Sequence, residues 1–310
     1  MTQKKQKSKG KKYLKAIVLE KQSDKFLVDS EIGTLTLFSR GKNKIGGVYV
    51  GDFVDFDPQQ KTIEKVYPRK SLLVRPVLAN LSKLFIVIAP VPVPDFCIVD
   101  KLVLYCLYFQ IEPVIVVNKT DICDPEFFDR VKAIYQNVCK IIFVSANQKQ
   151  NLEELHRQFL GNICALAGQS AVGKSAIVCG IYPQSMAIVG ELSQKIMRGK
   201  NTTRSAKLYK LEQNTFLADT PGFSSLDVTY LPLKDFELCY YYPDFLFFHD
   251  KCKYKSCTHT KESEDECGIK RAVRAGKIDK QRYERYLQAF SDLSNRTLAR
   301  RKQTQLEKKK

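Results

Sequence analysis

The chain has 310 residues, too many for one small module, and its 44% hydrophobic content can fill real cores, which excludes a globally disordered protein. The 51 Lys and Arg against 33 Asp and Glu leave a formal charge of +18, pointing to a polyanionic partner; no amphipathic basic helix with a broad apolar face argues for a membrane, so nucleic acid is the expected polyanion. The longest apolar runs, such as Leu84 to Pro94, are short and broken by prolines, and no apolar stretch backs the lysine-rich start, so neither a membrane span nor a secretory signal is expected.

The protein is accordingly expected in the cytoplasm, where its ten cysteines serve as thiols or metal ligands rather than disulfides. Residues 1–12 carry six lysines and no hydrophobic pattern, and 299–310 are similarly charged; both read as flexible tails that could gain order on RNA. Residues 13–74 hold short β segments, "YLKAIVLE", "KFLVDS", "GTLTLFS", "GGVYVGDFVDFD" and "TIEKVY", with turns at Gly33, Gly46, Gly47 and Gly51. The expectation is a small five-stranded barrel of OB type with a face open to nucleic acid; an SH3-like barrel has the same periodicity.

Over residues 75–230 the texture alternates between strands and helices. "KLFIVIAP" reads as a buried strand, "DFCIVDKLVLYCLYFQ" as a helix and "EPVIVV" as a second buried strand, followed by helix 125–138, strand "KIIFV", helix 151–160 and strand "NICALA". Continuous apolar strands separated by helices predict a parallel α/β sheet covered on both faces, with ligands at the carboxyl ends of the strands.

Four motifs fall at such ends. Asn118-Lys119-Thr120-Asp121 follows "PVIVV"; alone it is a polar turn, but the Asp121 carboxylate can accept from guanine N1–H and N2–H₂ together, a pair adenine lacks. One βα unit later, Ser145-Ala146 resembles the loop that supports guanine O6 in GTPases. Gly168-Gln169-Ser170-Ala171-Val172-Gly173-Lys174-Ser175, with a strand before it and a helix after it, fits the G-x-x-x-x-G-K-[ST] phosphate loop, and the next residue, Ala176, is also expected at the nucleotide. Its amides and the helix dipole would cradle phosphates, Lys174 would reach the β and γ groups, and the Ser175 hydroxyl would ligate Mg²⁺. Downstream, "TFLADTPGF" ends a strand in Asp219-Thr220-Pro221-Gly222, offering a carboxylate that can hold Mg²⁺ through water and a Gly222 N–H that can sense a γ-phosphate. The order base, base, phosphate, Mg²⁺ is a rotation of the usual GTPase series, which a parallel sheet tolerates because all the motifs share one rim.

Residues 231–298 read as a helical zinc-binding domain. After the aromatic stretch "CYYYPDFLFF", Cys252-x₄-Cys257-x-His259-x₇-Cys267 supplies three thiolates and one imidazole, a closed tetrahedral set for one structural Zn²⁺, with Lys251, Lys253 and Lys255 near enough to offset its remaining negative charge. These cysteines sit among polar residues, where burial is no reason for them. Cys97, Cys106, Cys123, Cys139, Cys164, Cys179 and Cys239 lie in or beside apolar runs and are expected to be small buried hydrophobes. His156 and His249 read as bystanders. Tyr283, Tyr286, Leu287, Phe290 and Leu293 share one helix face and read as core packing.

These residues carry a resemblance. "SRGKNK...VGDFVDF", "IEKVYPRKSLLVRP", "NKTD", "GQSAVGKSAIV", "GKNTTRSAKLY", "DTPGF" and "CKYKSCTHTKESEDECGIKRAVRAGKI...RYERYLQ" are similar to the RsgA (YjeQ) family of circularly permuted, ribosome small subunit-dependent GTPases, over nearly the whole chain after its first dozen residues. The resemblance implies an OB-fold, a permuted P-loop G domain and a zinc-bearing C-terminal domain in a monomer. It also implies GTP hydrolysis stimulated by the small ribosomal subunit, contacts to its rRNA, and a role in its late maturation. Family members generally carry Gly-x-His-Thr-Thr-Thr in the first switch, whereas the aligned residues here are Gly199-Lys200-Asn201-Thr202-Thr203-Arg204. Asn201 can orient a water but cannot take a proton as imidazole can; it stands as the candidate hydrolytic residue beside Lys174 and Gly222. Thr202 or Thr203 is expected at Mg²⁺ and the γ-phosphate, with Thr203 assigned to the metal. Two readings compete: a nucleotide-gated rRNA-binding factor with little catalysis, favoured by the missing His, and a permuted GTPase acting on the large subunit, disfavoured by the barrel joined to a Cys/His cluster.

Overall fold

The computed structural model describes residues 13–39, 47–74, 76–185, 206–219 and 228–307, with 298–307 described by their backbone alone. Strands β1 (Leu14–Gln22), β2 (Lys25–Ser30), β3 (Gly33–Ser39), β4 (Phe53–Asp57) and β5 (Thr62–Val66) close in the order β1-β2-β3-β5-β4, with β4 pairing back onto β1. This closure, with β3 and β5 parallel, makes the barrel OB-type and sets aside the SH3-like alternative. Alternate residues point inward, so Val18, Val28, Leu37, Val54, Phe56 and Ile63 are fully buried. The stretch "GGVYVGDFVDFD", expected as one strand, is extended only over 53–57. At Gly51 the chain turns at φ +87, and a Cβ there would lie 2.0 Å from the Ala79 carbonyl oxygen. That close approach docks the barrel on a hairpin of β6 (Leu72–Val74) and β7 (Val77–Ala79), where Ala79 N–H donates to Val50 O at 2.8 Å and the Asn80 amide donates to Gly51 O at 2.9 Å.

The α/β unit is a six-stranded sheet of order β10-β9-β8-β11-β13-β12, built from β8 (Lys83–Ile88), β9 (Glu112–Val117), β10 (Lys140–Phe143), β11 (Ile163–Ala167), β12 (Lys207–Glu212) and β13 (Thr215–Asp219). All neighbours are parallel except β12 with β13. Period-2 alternation explains the unbroken apolar strands. Ile86, Ile88, Ile115 and Val117 pack with α1 (Phe96–Tyr108) and α2 (Pro125–Tyr135), while Phe85, Val87, Val114 and Val116 pack with α3 (Leu152–Phe159) and α4 (Lys174–Ile181). Asp95 caps α1 through Cys97 N–H at 2.8 Å, and Asp124 caps α2 through Phe127 N–H at 2.7 Å with Pro125 in the first turn.

Strand β12, "KLYKLE", has no apolar run because it is the sheet edge. Its Lys210 meets Asp29 of the barrel at 2.8 Å and Lys207 meets Glu20 at 3.8 Å, so the exposed edge is covered by ion pairs to the neighbouring barrel.

The C-terminal unit comprises a 3-10 run (Asp235–Tyr241), α5 (Pro243–His249), α6 (Gly268–Arg274) and α7 (Lys280–Glu307). The apolar stripe of α7 packs into the main core, with Tyr286 and Leu293 fully buried. The helix runs on through the segment read as a tail, because Leu298, Ala299, Arg300, Arg301, Lys302 and Gln303 are strong helix formers. Arg282 of α7 is 1% exposed and binds Asp244 of α5 at 2.9 and 3.2 Å and Asp100 of α1; Arg285 also donates to Asp100. Arg296 donates to the carbonyls of Thr229 at 2.7 Å, Leu231 and Leu233, holding the segment that leaves the nucleotide domain.

Of the seven cysteines expected as buried hydrophobes, Cys106, Cys164 and Cys239 are buried and Cys123, Cys139 and Cys179 partly so; Cys97 is exposed in the first turn of α1, on the helix face turned from the sheet. Among the described residues, no helix is long and apolar enough to cross a membrane.

Candidate nucleotide site and metal centre

The carboxyl ends of β9, β10, β11 and β13 meet on one rim and carry Asn118, Ser145, the 168–173 loop and Asp219 respectively. Asn118, 2% exposed, joins three of these segments: its amide donates to Val172 O at 2.9 Å, and its side-chain oxygen accepts from Ala146 N–H at 3.1 Å. The base motif and the phosphate loop, far apart in the chain, are thus stapled by one side chain. Ser145 is fully buried and its hydroxyl donates to the Asp121 carboxylate at 2.5 Å while accepting from Gln148 N–H at 3.1 Å, which fixes the direction of the carboxylate. Lys119 adopts φ +62 and its ammonium donates to Val91 O at 2.8 Å.

The phosphate loop is shaped by close approaches. Gly168, at φ +135, has the Val87 carbonyl oxygen 2.1 Å from where a Cβ would sit, and Gly173, at φ +95, has the Asn118 amide nitrogen at 2.2 Å. Ala171 also takes a positive φ, of +64, although it has a Cβ. Gln169 ties the loop to the start of α1, accepting from Asp95 N–H at 3.1 Å and donating to Val93 O at 3.3 Å. The Lys174 ammonium curls back onto the carbonyls of Gly168 and Gln169 at 2.8 and 2.7 Å, and burial lowers its pKa below the usual lysine value. Ser170, Ser175 and Ala176 face solvent at the mouth of the loop, and Asp219 lies half-buried on the strand next to it. Asn201, Thr202, Thr203 and Gly222 lie outside the described residues.

In the C-terminal unit, Cys252, Cys257, His259 and Cys267 converge, their donor atoms all within 4.8 Å of one another. His259 presents Nδ1 to the sulfurs of Cys252 and Cys267, at 3.6 and 3.5 Å. Cys257, His259 and Cys267 are buried, and the two cysteines belong to the main core. Burial pushes the Cys257 and Cys267 thiols up and holds the His259 imidazole down to about 4, in its neutral, ligating form. The Gly268 and Lys270 amides point at the sulfurs of Cys252 and Cys267, at 3.2 and 3.5 Å, and would stabilise thiolate charge. This donor set can hold a metal ion. Lys253, one of the lysines beside the group, is paired with Glu266 at 2.9 Å. The α7 stripe does more than pack: Tyr283 and Tyr286 donate to the carbonyls of His259 and Thr258 at 2.6 and 2.8 Å, holding His259 at φ +61.

The family model of the RsgA GTPase matches residues 66–229, over half of the chain. A small ribosomal subunit biogenesis GTPase RsgA of Thermotoga neapolitana is 36% identical over 293 residues, covering 91% of this chain and 97% of that one. The chain belongs to the RsgA GTPase family. Its Thermotoga maritima relative of the same name is 35% identical over 279 residues, 86% of this chain and 92% of the relative. Among solved structures, YjeQ from Thermotoga maritima superposes with a TM-score of 0.75 at 32% identity, covering 91% of this chain and 98% of that one. YloQ, described as a circularly permuted GTPase, superposes at 0.73 with 94% and 99% coverage; at 23% identity it bears on the fold alone.

Membership of the RsgA GTPases accounts for the rotated motif order and for a barrel, a sheet and a Cys/His unit in one chain. The staple made by Asn118 and the ties made by Gln169 depend on partners brought close only by the folded sheet. His156, read as a bystander, does join α3 to β12, through Glu212 at 2.9 Å. His249, read the same way, stands beside the metal centre, its ring centroid 5.3 Å from that of His259.

Proposed function

We propose that this chain binds GTP and GDP across the rim and hydrolyses GTP to time its release from the maturing small ribosomal subunit. The observation that carries this reading is the Asn118 side chain, which locks the base motif to the phosphate loop so that one purine triphosphate fits both. Asp121, aimed by Ser145, selects guanine, with Asn118, Lys119 and Ala146 shaping the base pocket. Amides of residues 168–176 hold the phosphates, and Lys174 exchanges its two carbonyls for phosphate oxygens. Ser175 and Asp219, with Thr203 from the first switch, would hold Mg²⁺, which neutralises phosphate charge. Asn201, Thr202 and Gly222 are proposed to order the water and the γ-phosphate. The barrel, the metal unit and the basic chain ends supply the rRNA-binding surface, in a cytoplasmic monomer.

Measured alone, GTP turnover is expected to be slow, on the order of 10⁻³ s⁻¹ as in GTPases without an activating residue in place, and small subunits should raise it at least about tenfold by ordering the first switch. Equal rates with no ribosomal particles, with small subunits and with large subunits would refute the reading. Stimulation by large subunits alone would move the site of action.

The Cys₃His group is proposed to hold zinc for structure, since four protein ligands leave no position for substrate. Elemental analysis of gel-filtered protein should give about one zinc per chain, and Cys257→Ser should lose it together with helical signal from the C-terminal unit. Wild-type protein free of zinc yet fully folded would contradict the assignment.

A further inference from the structure

His259 has two ring nitrogens and the Cys₃His group uses one. Nδ1 faces Cys252 and Cys267, while Nε2, on the opposite edge of a fully buried ring, has no hydrogen-bond partner among the described residues. A metal-bound histidine ordinarily donates its second N–H to a carboxylate, a carbonyl or water. Beside the same ring stand Cys239, from the 3-10 run, and His249, from the last turn of α5. One donor atom from each of Cys239, His249 and His259 lies within 4.8 Å of the other two. The Cys239 sulfur is buried, 3.8 Å from the Phe236 carbonyl oxygen. The His249 ring is half-buried and stands at 84° to that of His259.

We propose that Cys239, His249 and Nε2 of His259 form a second metal site for a thiophilic divalent cation such as Zn²⁺, back to back with the Cys₃His centre and sharing the His259 ring. One sulfur and two nitrogens suit a borderline-soft cation, and the half-buried side of His249 leaves a fourth position for solvent. On binding, the Cys239 thiol gives its proton to solvent as the metal–sulfur bond forms. His259 gives up its Nε2 proton in the same way as the metal–nitrogen bond forms, and His249 contributes a lone pair without losing a proton. No electron changes hands. The two positive charges gained match the two protons released, so the second cation adds no net charge to the buried cluster. With three protein ligands the site binds more weakly than the first and fills when metal is supplied. It rests on the reading that the Cys₃His group holds a cation through Nδ1.

The test is native mass spectrometry of the full, zinc-loaded chain in the presence of added Zn²⁺. Two zinc ions per chain are expected for the wild type and one for Cys239→Ser and for His249→Gln. A single zinc in the wild type under excess overturns the proposal and leaves Cys239 as a hydrogen-bond acceptor for Nε2–H, and two zincs in both variants overturn it by placing the second ion elsewhere. Since Cys239 is buried, its variant could fail to fold, and the partly exposed His249→Gln then decides through cadmium NMR of the substituted protein. The expected spectrum has two resonances in the wild type, one from a three-sulfur and one from a one-sulfur environment, and only the first in His249→Gln; a one-sulfur resonance that persists in that variant overturns the proposal. Loss of the three-sulfur resonance from the wild type would instead mark failure of the Cys₃His assignment, and subunit-stimulated GTP turnover reports on the proposed function separately.

Discussion

Arg282→Ala is expected to cost about 3 to 5 kcal/mol of unfolding free energy, the range for breaking a buried ion pair from one side. Arg282 sits between Asp100 of the nucleotide domain and Asp244 of the metal unit, both buried, with its guanidinium 4.8 Å from the Tyr242 ring centroid. Burial works against its charge, yet Asp100 and Asp244 raise its pKa well above the ordinary arginine value. Removing it strands Asp244 in the core, while Asp100 keeps Arg285 and the Tyr135 hydroxyl at 2.9 Å. Denaturant unfolding followed by circular dichroism measures the loss, and adding Asp244→Asn to the variant should restore part of it by removing the stranded charge. A loss below about 1 kcal/mol, the scale of an exposed pair, would mean that water reaches the network.

Asp121→Asn is expected to weaken GTP binding by roughly 100-fold or more, since two charge-assisted hydrogen bonds of about 1.5 to 3 kcal/mol each are replaced by an amide that can accept only one of guanine's donors. Xanthosine triphosphate presents an N1–H donor beside a C2 carbonyl acceptor, matching an amide's one acceptor and one donor. The same variant should therefore bind it better than the wild type does. Calorimetry with both nucleotides gives the comparison. Unchanged GTP affinity would remove Asp121 from the base pocket.

The phosphate loop, the base motif and the Cys/His cluster could be read from the sequence because each is a short word whose chemistry depends on spacing along the chain. The barrel strands and the buried parallel strands were legible for the same reason, since period and apolarity are local properties. Long-range partnerships were not. Asp100 looks like one polar residue in "FCIVDKLVLYCLY", and nothing near it announces Arg282, 182 positions downstream. Asn118 reads as a motif letter, whereas in the fold it is the staple between two loops. The edge strand β12 carries no continuous apolar pattern because its lysines face barrel carboxylates instead of a core. Cys239 and His249 carry no spacing signal, and only the packing of α5 against the 3-10 run brings them to His259.

The strand order sets a constraint on synthesis. The barrel is complete once Val66 has left the ribosome, and β8, β9 and β10 can pair soon afterwards, but the inner edge of β8 has no partner until β11 emerges. Ala167 follows Ile88 by 79 residues (167 − 88), a wait on the order of 4 to 16 s at 5–20 residues per second. Throughout that interval an apolar parallel edge stands open to other nascent chains. In the rotated order the sheet therefore closes across its centre only when β11, the strand that leads into the phosphate loop, has been made.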